Sequence, residues 1–322
     1  MRILMLGTGP FAVPTFQSLL ESPHEVPALI TRPTPPPKGR EKMPINPMRD
    51  VAEERKLEVY SPDSINTPDA QARIASWKPE LLVVCDYGQI LSRETLALAP
   101  LGGINLHGSL LPRYRGAAPV HRAILHGDTQ TGVTVIHMTP RLDGGPTLSL
   151  RTSPIGLEET TPELEQRLSK LGVEAVHEAI RLLSDWDRVS PIGTLQDQSL
   201  ATKAPRLSKA EGAVDWSRPA ETIRNQVRAL KPWPGTYTNW LRTEGEPLRI
   251  ILDCVAISQV PVAGSSPGKV VLSDGKKLFV ATGEGSLEIL ALQPSGKRVM
   301  ETAEFLRGYP MRAGEQLGNA PA

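Results

Sequence analysis

Asn105, His107 and Asp143 are the residues of this chain whose types and spacing suit acyl-transfer chemistry. The first two lie in Gly103-Ile104-Asn105-Leu106-His107-Gly108-Ser109-Leu110-Leu111-Pro112, and the third in Leu142-Asp143-Gly144-Gly145-Pro146. Together they offer an amide donor, a titratable imidazole and a carboxylate, a set suited to moving an acyl group onto an amine. Such a transfer builds negative charge on the carbonyl oxygen, and donors aimed at that oxygen are usually the largest catalytic term. A carboxylate beside the imidazole can orient it, favour its charged form and accept the proton that the amine must lose. Taken singly, Asn105 and Asp143 read as turn formers and His107 as a satisfied buried histidine. Their combination carries the chemical reading.

The elements around them decide whether they can meet. Asn105 and His107 are two apart, so on a strand they share one face. In the first half, strand and helix patterns alternate. Arg2–Leu6, Val26–Thr31, Leu81–Cys85, Gly103–Leu106, Gly132–Met138 and Thr147–Arg151 read as strands. Phe11–Leu20, Asn46–Leu57, Ser64–Trp77, Pro119–Leu125 and Thr161–Leu183 read as helices. This alternation predicts an α/β fold with a doubly wound, mostly parallel, Rossmann-like sheet. Open sheets of that kind bind ligands at the C-terminal ends of their strands. That places Asn105 well, and the loop carrying Asp143 is expected to reach the same edge.

Periodicity is lost after Ser184, and residues 190–206 read as a linker between a catalytic domain at 1–189 and a second domain at 207–322. The second part opens with a helix at Ala220–Leu230. Short runs of β-formers follow at Thr236–Leu241, Leu248–Ile257, Gly268–Leu272, Leu278–Thr282 and Leu287–Leu292, with Thr302–Arg307 as a closing helix. About five short strands after one helix predict a small OB-like β-barrel.

Bulk composition excludes several classes. Hydrophobic residues make up 39% of the 322, the net charge is +1, and no apolar run approaches a membrane span of about 20 residues. The N-terminus reads as a strand and not as a leader peptide, which points to the cytoplasm. Cys85 and Cys254 lie in apolar, strand-like runs and are expected to be buried, reduced thiols. His121 and His126 are off the i,i+4 spacing of a helical metal pair and have no evident third ligand, so no metal site is expected. Residues 203–322 carry 16 Lys and Arg against 12 Asp and Glu, a modest basic bias that permits a polyanionic partner.

Gly7-Thr8-Gly9-Pro10-Phe11-Ala12 fits the turn of a dinucleotide fingerprint. The acidic residue that should end the second strand is missing, because that strand runs into Ile30-Thr31-Arg32 and the next acid is Glu41. The turn is read as a tight strand-to-helix connection beside the active site. This also undercuts an NADP oxidoreductase.

The run Asn-Leu-His-Gly-Ser-Leu-Leu-Pro from Asn105, Arg-Gly-Ala-Ala-Pro from Arg115 and the Leu-Asp-x-Gly-Pro motif from Leu142 resemble the folate-dependent formyltransferases. Further motifs resemble the branch that acts on methionyl-tRNA. They include Asp86-Tyr87-Gly88-Gln89-Ile90-Leu91, Val214-Asp215-Trp216, the run from Arg228 to Gly235, and the run from Leu292 to Lys297. The resemblance spans almost the whole chain.

It implies 10-formyltetrahydrofolate as co-substrate and initiator methionyl-tRNA as partner, with Asn105, His107 and Asp143 as the catalytic residues. It implies a folate site at Ser109, Leu110, Leu111 and Pro112, joined by Asp86, Tyr87, Gly88, Gln89, Ile90 and Leu142. It also implies a basic inserted loop that grips tRNA, here Lys38, Arg40 and Lys42 within a stretch from Arg32 to Arg49 that holds six prolines. A monomer without membrane contact is expected. The chain departs from the family pattern at Gly9 and Pro10, at Asp86 where a small residue is common, at His121, and at Gly144 where Thr is common. The nearest rivals are a formyltransferase acting on a nucleotide amine or an amino sugar, and a non-catalytic RNA-binding protein of the same fold.

Overall fold

The computed structural model describes residues 1–34, 45–262 and 264–318. Its first strands are β1 (Ile3–Gly7), β2 (Ala28–Ile30), β3 (Glu58–Tyr60), β4 (Leu81–Cys85) and β5 (Gly103–His107). They are followed by β6 (Arg115–Gly116), β7 (Gln130–His137), β8 (Thr147–Pro154) and β9 (Lys203–Ala204). Helices α1 (Val13–Leu20), α2 (Pro47–Glu54), α3 (Pro68–Ser76), α4 (Arg93–Leu96), α5 (Pro119–Leu125) and α6 (Thr161–Ser184) alternate with them. The main sheet has the order β3-β2-β1-β4-β5-β7-β8. Strands β1 to β5 are parallel, whereas β7 and β8 run antiparallel at one side.

Every residue of β1 and β4 is buried. Both strands are central and covered on two faces, which is why they read as unbroken apolar runs. Burying each Leu or Ile there contributes about 1.5–3 kcal/mol relative to exposure. The chain reverses direction across the sheet between β1 and β4, so a switch-point crevice opens where Gly7 and Cys85 end their strands.

Helix starts follow side-chain caps. Asn46 accepts from the Arg49 amide, Thr67 from Ala70 and Ser92 from Thr95. Helix α3 begins at Pro68 and not at Ser64, because the proline holds Thr67 extended and has no N–H to lose at the first helical position.

A second sheet holds β10 (Thr236–Leu241), β11 (Leu248–Ser258), β12 (Val270–Ser273), β13 (Leu278–Ala281), β14 (Ser286–Pro294), β15 (Met300–Glu301) and β16 (Gln316–Gly318). Helices α7 (Ala220–Ala229) and α8 (Thr302–Gly308) accompany it. The antiparallel path β12-β13-β14-β11-β10-β16 curls round until its ends meet. Val270 N–H donates to Glu315 O and Leu317 N–H to Gly268 O, each at 2.8 Å, which nearly closes a barrel of the OB-like kind. Its core packs Ile250, Leu252, Val255, Val280, Leu287, Ile289 and Leu292 against Ile223, Val227 and Phe305.

Cys85 is buried as expected, but Cys254 is exposed. The β11–β14 register shifts on both sides of Cys254. That bulge turns Leu252 and Val255 inward and leaves Cys254 outside.

The chain divides into two compact units. One comprises Met1–Val120, Gln130–Pro154 and Leu164–Pro205; the other comprises His121–Thr129, Ile155–Glu163 and Arg206–Ala322. Residues 190–205, expected as linker, therefore belong to the first unit. Thr194 and Thr147 exchange two backbone hydrogen bonds of 2.8 Å, and β9 pairs with β6. No helix among the described residues is long and apolar enough to cross a membrane.

Candidate active site

Strand β5 sets the site. Asn105 lies beside Val84 of β4 and Ile136 of β7, and His107 beside Thr134. Leu106, between them, faces the other way and packs under Gly172 of α6. The pleat thus presents Asn105 and His107 on one face.

The imidazole of His107 is fixed by one bond. Its Nε2 lies 2.9 Å from the carbonyl oxygen of Tyr114. A carbonyl only accepts, so Nε2 carries a hydrogen and Nδ1 is the free ring nitrogen of the neutral form. Nδ1 faces Asp143 Oδ2 at 3.8 Å, an ion-pair distance too long for a hydrogen bond. The Tyr114 backbone has φ 62° and is tied through its N–H to Thr202 Oγ1 at 2.8 Å.

Asp143 arrives by an indirect route. Strand β7 is antiparallel to β5, so its end, His137, lies beside the start of β5. The loop after β7 leaves from the edge opposite to the one expected and folds back over the sheet face. There Asn105 Nδ2 donates to Asp143 Oδ1 at 3.4 Å, and Gly116 N–H donates to Oδ2 at 2.8 Å. Gly116 has φ 126°, and a Cβ there would stand 2.5 Å from Ala204 O, so only glycine brings this N–H to the carboxylate. The side chains of His107 and Asp143 are only 7% and 10% exposed, which strengthens every charge interaction between them.

The segment Ser109–Pro112 is held from inside. Thr134 Oγ1 donates to Ser109 O at 2.7 Å and accepts from Leu111 N–H at 3.1 Å. Ser109 and Leu111 are buried, whereas Leu110 and Pro112 stay partly open. The loop after β4 divides similarly. Tyr87 is buried among Leu4, Ile30 and Leu91, and Gln89 ties the loop to Ile65 N–H and Asp63 O. Ile90, and Leu142 on the loop after β7, expose large apolar surfaces. Lys38, Arg40 and Lys42 lie outside the described residues.

Asp86 sits at the switch point with φ 49°. Its carbonyl accepts from Thr8 N–H at 3.1 Å, and its carboxylate lies over Gly9, where a Cβ would come within 1.7 Å of Oδ2. Glycine at position 9 and aspartate at 86 are therefore matched. No hydrogen bond or ion pair holds this carboxylate among the described residues. Loss of hydration raises its pKa from 3.8 to about 6, although the residue keeps solvent-accessible surface. The carboxylate packs over Gly9 while other surface of the residue stays exposed to water. Glu165 is pushed up to about 7 by the same loss of hydration, with a smaller contribution from the negative charge of Asp86.

A carboxylate whose folded pKa is raised contributes full stability below its unfolded pKa and loses it as pH rises through the folded value, here from about 4 to about 6. Asp86→Asn is therefore expected to leave Tm unchanged near pH 4 and to raise it at pH 8. The gain should be on the order of 1 kcal/mol, reduced from the full conversion because one side of the group is wet. Equal Tm differences at both pH values would refute the assignment.

Sequence reasoning missed Tyr114 as the partner of His107, and it missed Thr202 and Gln196. Gln196 Nε2 donates to the carbonyls of Asp143 and Gly145 at 2.8 and 2.7 Å. It lies in an aperiodic polar stretch that offers no local signal.

Comparison with known proteins agrees with this architecture. Residues 1–180 match the formyl transferase family and residues 206–310 match the formyl transferase C-terminal domain. A methionyl-tRNA formyltransferase from Rhodopirellula baltica is 46% identical over 325 residues, covering 98% of this chain and 96% of that protein. Among solved structures, the sugar 3N-formyl transferase WlaRD, determined with dTDP and 5-N-formyl-THF, superposes with a TM-score of 0.65 at 15% identity, over 92% of this chain and 99% of that one. HypX from Aquifex aeolicus, solved with tetrahydrofolic acid, gives a TM-score of 0.59 at 19% identity over 95% of this chain, which spans about half of HypX (47%). At those identities the two structures speak for the fold, whereas the full-length relative and the two matched domains show that this chain belongs to the methionyl-tRNA formyltransferases and is a formyl-transferring enzyme.

Proposed function

We propose that the chain transfers the formyl group of 10-formyltetrahydrofolate to the α-amino group of initiator methionyl-tRNA, producing N-formylmethionyl-tRNA for translation initiation. The observation that carries this reading is the convergence of Asn105, His107 and Asp143 on one face of β5. The name of the Rhodopirellula baltica relative supports the choice of acceptor.

The geometry supports a role for each residue. With Nε2 occupied by the Tyr114 carbonyl, Nδ1 is the nitrogen that can turn a proton toward the reacting centre. As imidazolium, His107 stabilises the oxygen on which charge develops, and the Asn105 amide supplies a second donor. Asp143 faces the imidazole at 3.8 Å and accepts the amine's proton, directly or through water. A free α-amino group has a pKa of about 7.7–8.0, and the adjacent ester lowers it, so neutral amine is available near neutral pH without a covalent enzyme intermediate.

The residues present suit a reduced-folate donor. Asp86 offers a carboxylate without a protein donor, able to accept N–H groups, and Ile90 and Leu142 offer exposed apolar surface for a bicyclic ring. Ser109, Leu110, Leu111, Pro112, Tyr87, Gly88 and Gln89 shape the same loops. Lys38, Arg40 and Lys42 are assigned to phosphates of the acceptor stem on their charge, and residues 207–322 to tRNA binding on their basic excess. The enzyme is read as a cytoplasmic monomer, with catalysis in the part up to residue 189.

The test is transfer of labelled formyl from 10-formyltetrahydrofolate to initiator Met-tRNA, elongator Met-tRNA and glycinamide ribonucleotide in parallel. Transfer to initiator Met-tRNA alone is expected. Transfer only to the small amine would keep the catalytic assignment and overturn the RNA one.

A further inference from the structure

We propose that Gln196 is a positioning residue for formyl transfer, and that the strap from Thr194 to Ala204 forms the back of the catalytic site. This rests on the catalytic role assigned above to Asp143.

Asp143 needs external support. Its loop enters from the far edge of the sheet and turns through a left-handed backbone at Asp143, φ 47°. The contacts of its carboxylate are few and partly long, at 2.8, 3.4 and 3.8 Å. Within the loop, Gly144 N–H donates to Arg141 O at 3.2 Å and His137 N–H to Pro146 O at 2.9 Å, but neither bond engages the backbone of Asp143.

Gln196 supplies what is missing. Nε2 donates to Asp143 O at 2.8 Å and to Gly145 O at 2.7 Å, so the amide clamps two carbonyls on either side of Gly144. Oε1 accepts from Nε of Arg115 at 3.2 Å and also from its Nη2. Both donor hydrogens and the acceptor are engaged. Arg115 precedes Gly116, whose N–H touches the Asp143 carboxylate. One side chain therefore holds Asp143 from behind, by its carbonyl, and holds the strand whose next residue meets it from the front.

The strap is anchored on both sides of Gln196. Thr194 pairs with Thr147, Arg115 N–H donates to Thr202 O at 2.8 Å, and Lys203 and Ala204 pair with Arg115 and Gly116. Thr202 Oγ1 also accepts from Tyr114 N–H, behind the carbonyl that fixes His107. The same strap thus backs the supports of both proposed catalytic side chains. Nothing about residues 194–204 as a sequence suggests this, because each of these anchoring contacts is long-range.

Two near-isosteric changes separate positioning from bulk stability. Gln196→Glu keeps the length and the acceptor for Arg115 but replaces the two N–H donors with an oxygen facing two carbonyls. Gln196→Met removes all the hydrogen bonds. Both variants are expected to lower kcat about 10–100-fold, with KM for donor and acceptor within about 3-fold of wild type and far-UV circular dichroism retained. Amide hydrogen exchange of residues 139–146 should accelerate in Gln196→Met. Wild-type kcat in both variants, a loss confined to KM, or unchanged exchange across 139–146 would overturn the proposal. Absence of formyl transfer by the wild-type enzyme would count against the proposed function instead, and the exchange measurement would still decide the clamp.

Discussion

Asp143→Asn is expected to lower kcat by about 10³–10⁴-fold while leaving the fold intact. The change is nearly isosteric, and asparagine tolerates the left-handed backbone at φ 47° at least as well as aspartate. An asparagine oxygen can still accept from Gly116 N–H, so the loop keeps its front contact. What disappears is the negative charge facing His107 Nδ1 and the group able to take the amine's proton. With its oxygen kept on Gly116 N–H, the new amide turns a donor toward Asn105 Nδ2 where an acceptor stood, so that 3.4 Å contact is lost. Single-turnover kinetics with saturating donor and acceptor, together with Tm, are the measurements. A kcat near that of wild type would remove Asp143 from the chemistry and leave it a turn residue.

His107→Ala should reduce kcat by about 10²–10³-fold, the usual cost of removing a donor aimed at a developing oxyanion. It carries a structural penalty as well. The Tyr114 carbonyl loses its Nε2–H partner in a nearly closed site, which costs about 1–3 kcal/mol if water does not replace it. A lowered Tm is therefore part of the expectation, and it is separable from the loss of rate by assaying well below the transition. Combined with Asp143→Asn, the two losses should be strongly non-additive, because a carboxylate that acts through the imidazole has little left to do once the ring is gone. Losses that multiply would show that the two side chains work independently and would break the proposed unit.

Much of the scaffold was legible locally. Leu81–Cys85, Pro119–Leu125 and Thr236–Leu241 form the elements that their patterns predict. Burial on two faces, helical spacing and a half-buried pleat each leave their own periodicity. Strands β3 and β16 were not foreseen. Each has three residues, too few for a period, and each exists because a neighbouring strand offers hydrogen bonds. The outward turn of Cys254 escaped for a similar reason, since a bulge is a property of the pairing between β11 and β14.

The site divides along the same line. By itself the sequence determined which groups are present: an amide and an imidazole two residues apart on one strand, a carboxylate in a glycine-rich loop, and the apolar runs that make the sheet beneath them. Composition and short-range spacing suffice for that, because side-chain chemistry and pleat direction are local. Only the tertiary structure decided how the groups meet. The antiparallel course of β7 sends the Asp143 loop back across the sheet. The Tyr114 carbonyl selects the free nitrogen of His107, and Gln196, 53 residues from Asp143, holds that loop in place. Each of these depends on backbone carbonyls and amides, which every residue type possesses and which no sequence pattern marks, so their pairing becomes visible only when the chain has folded.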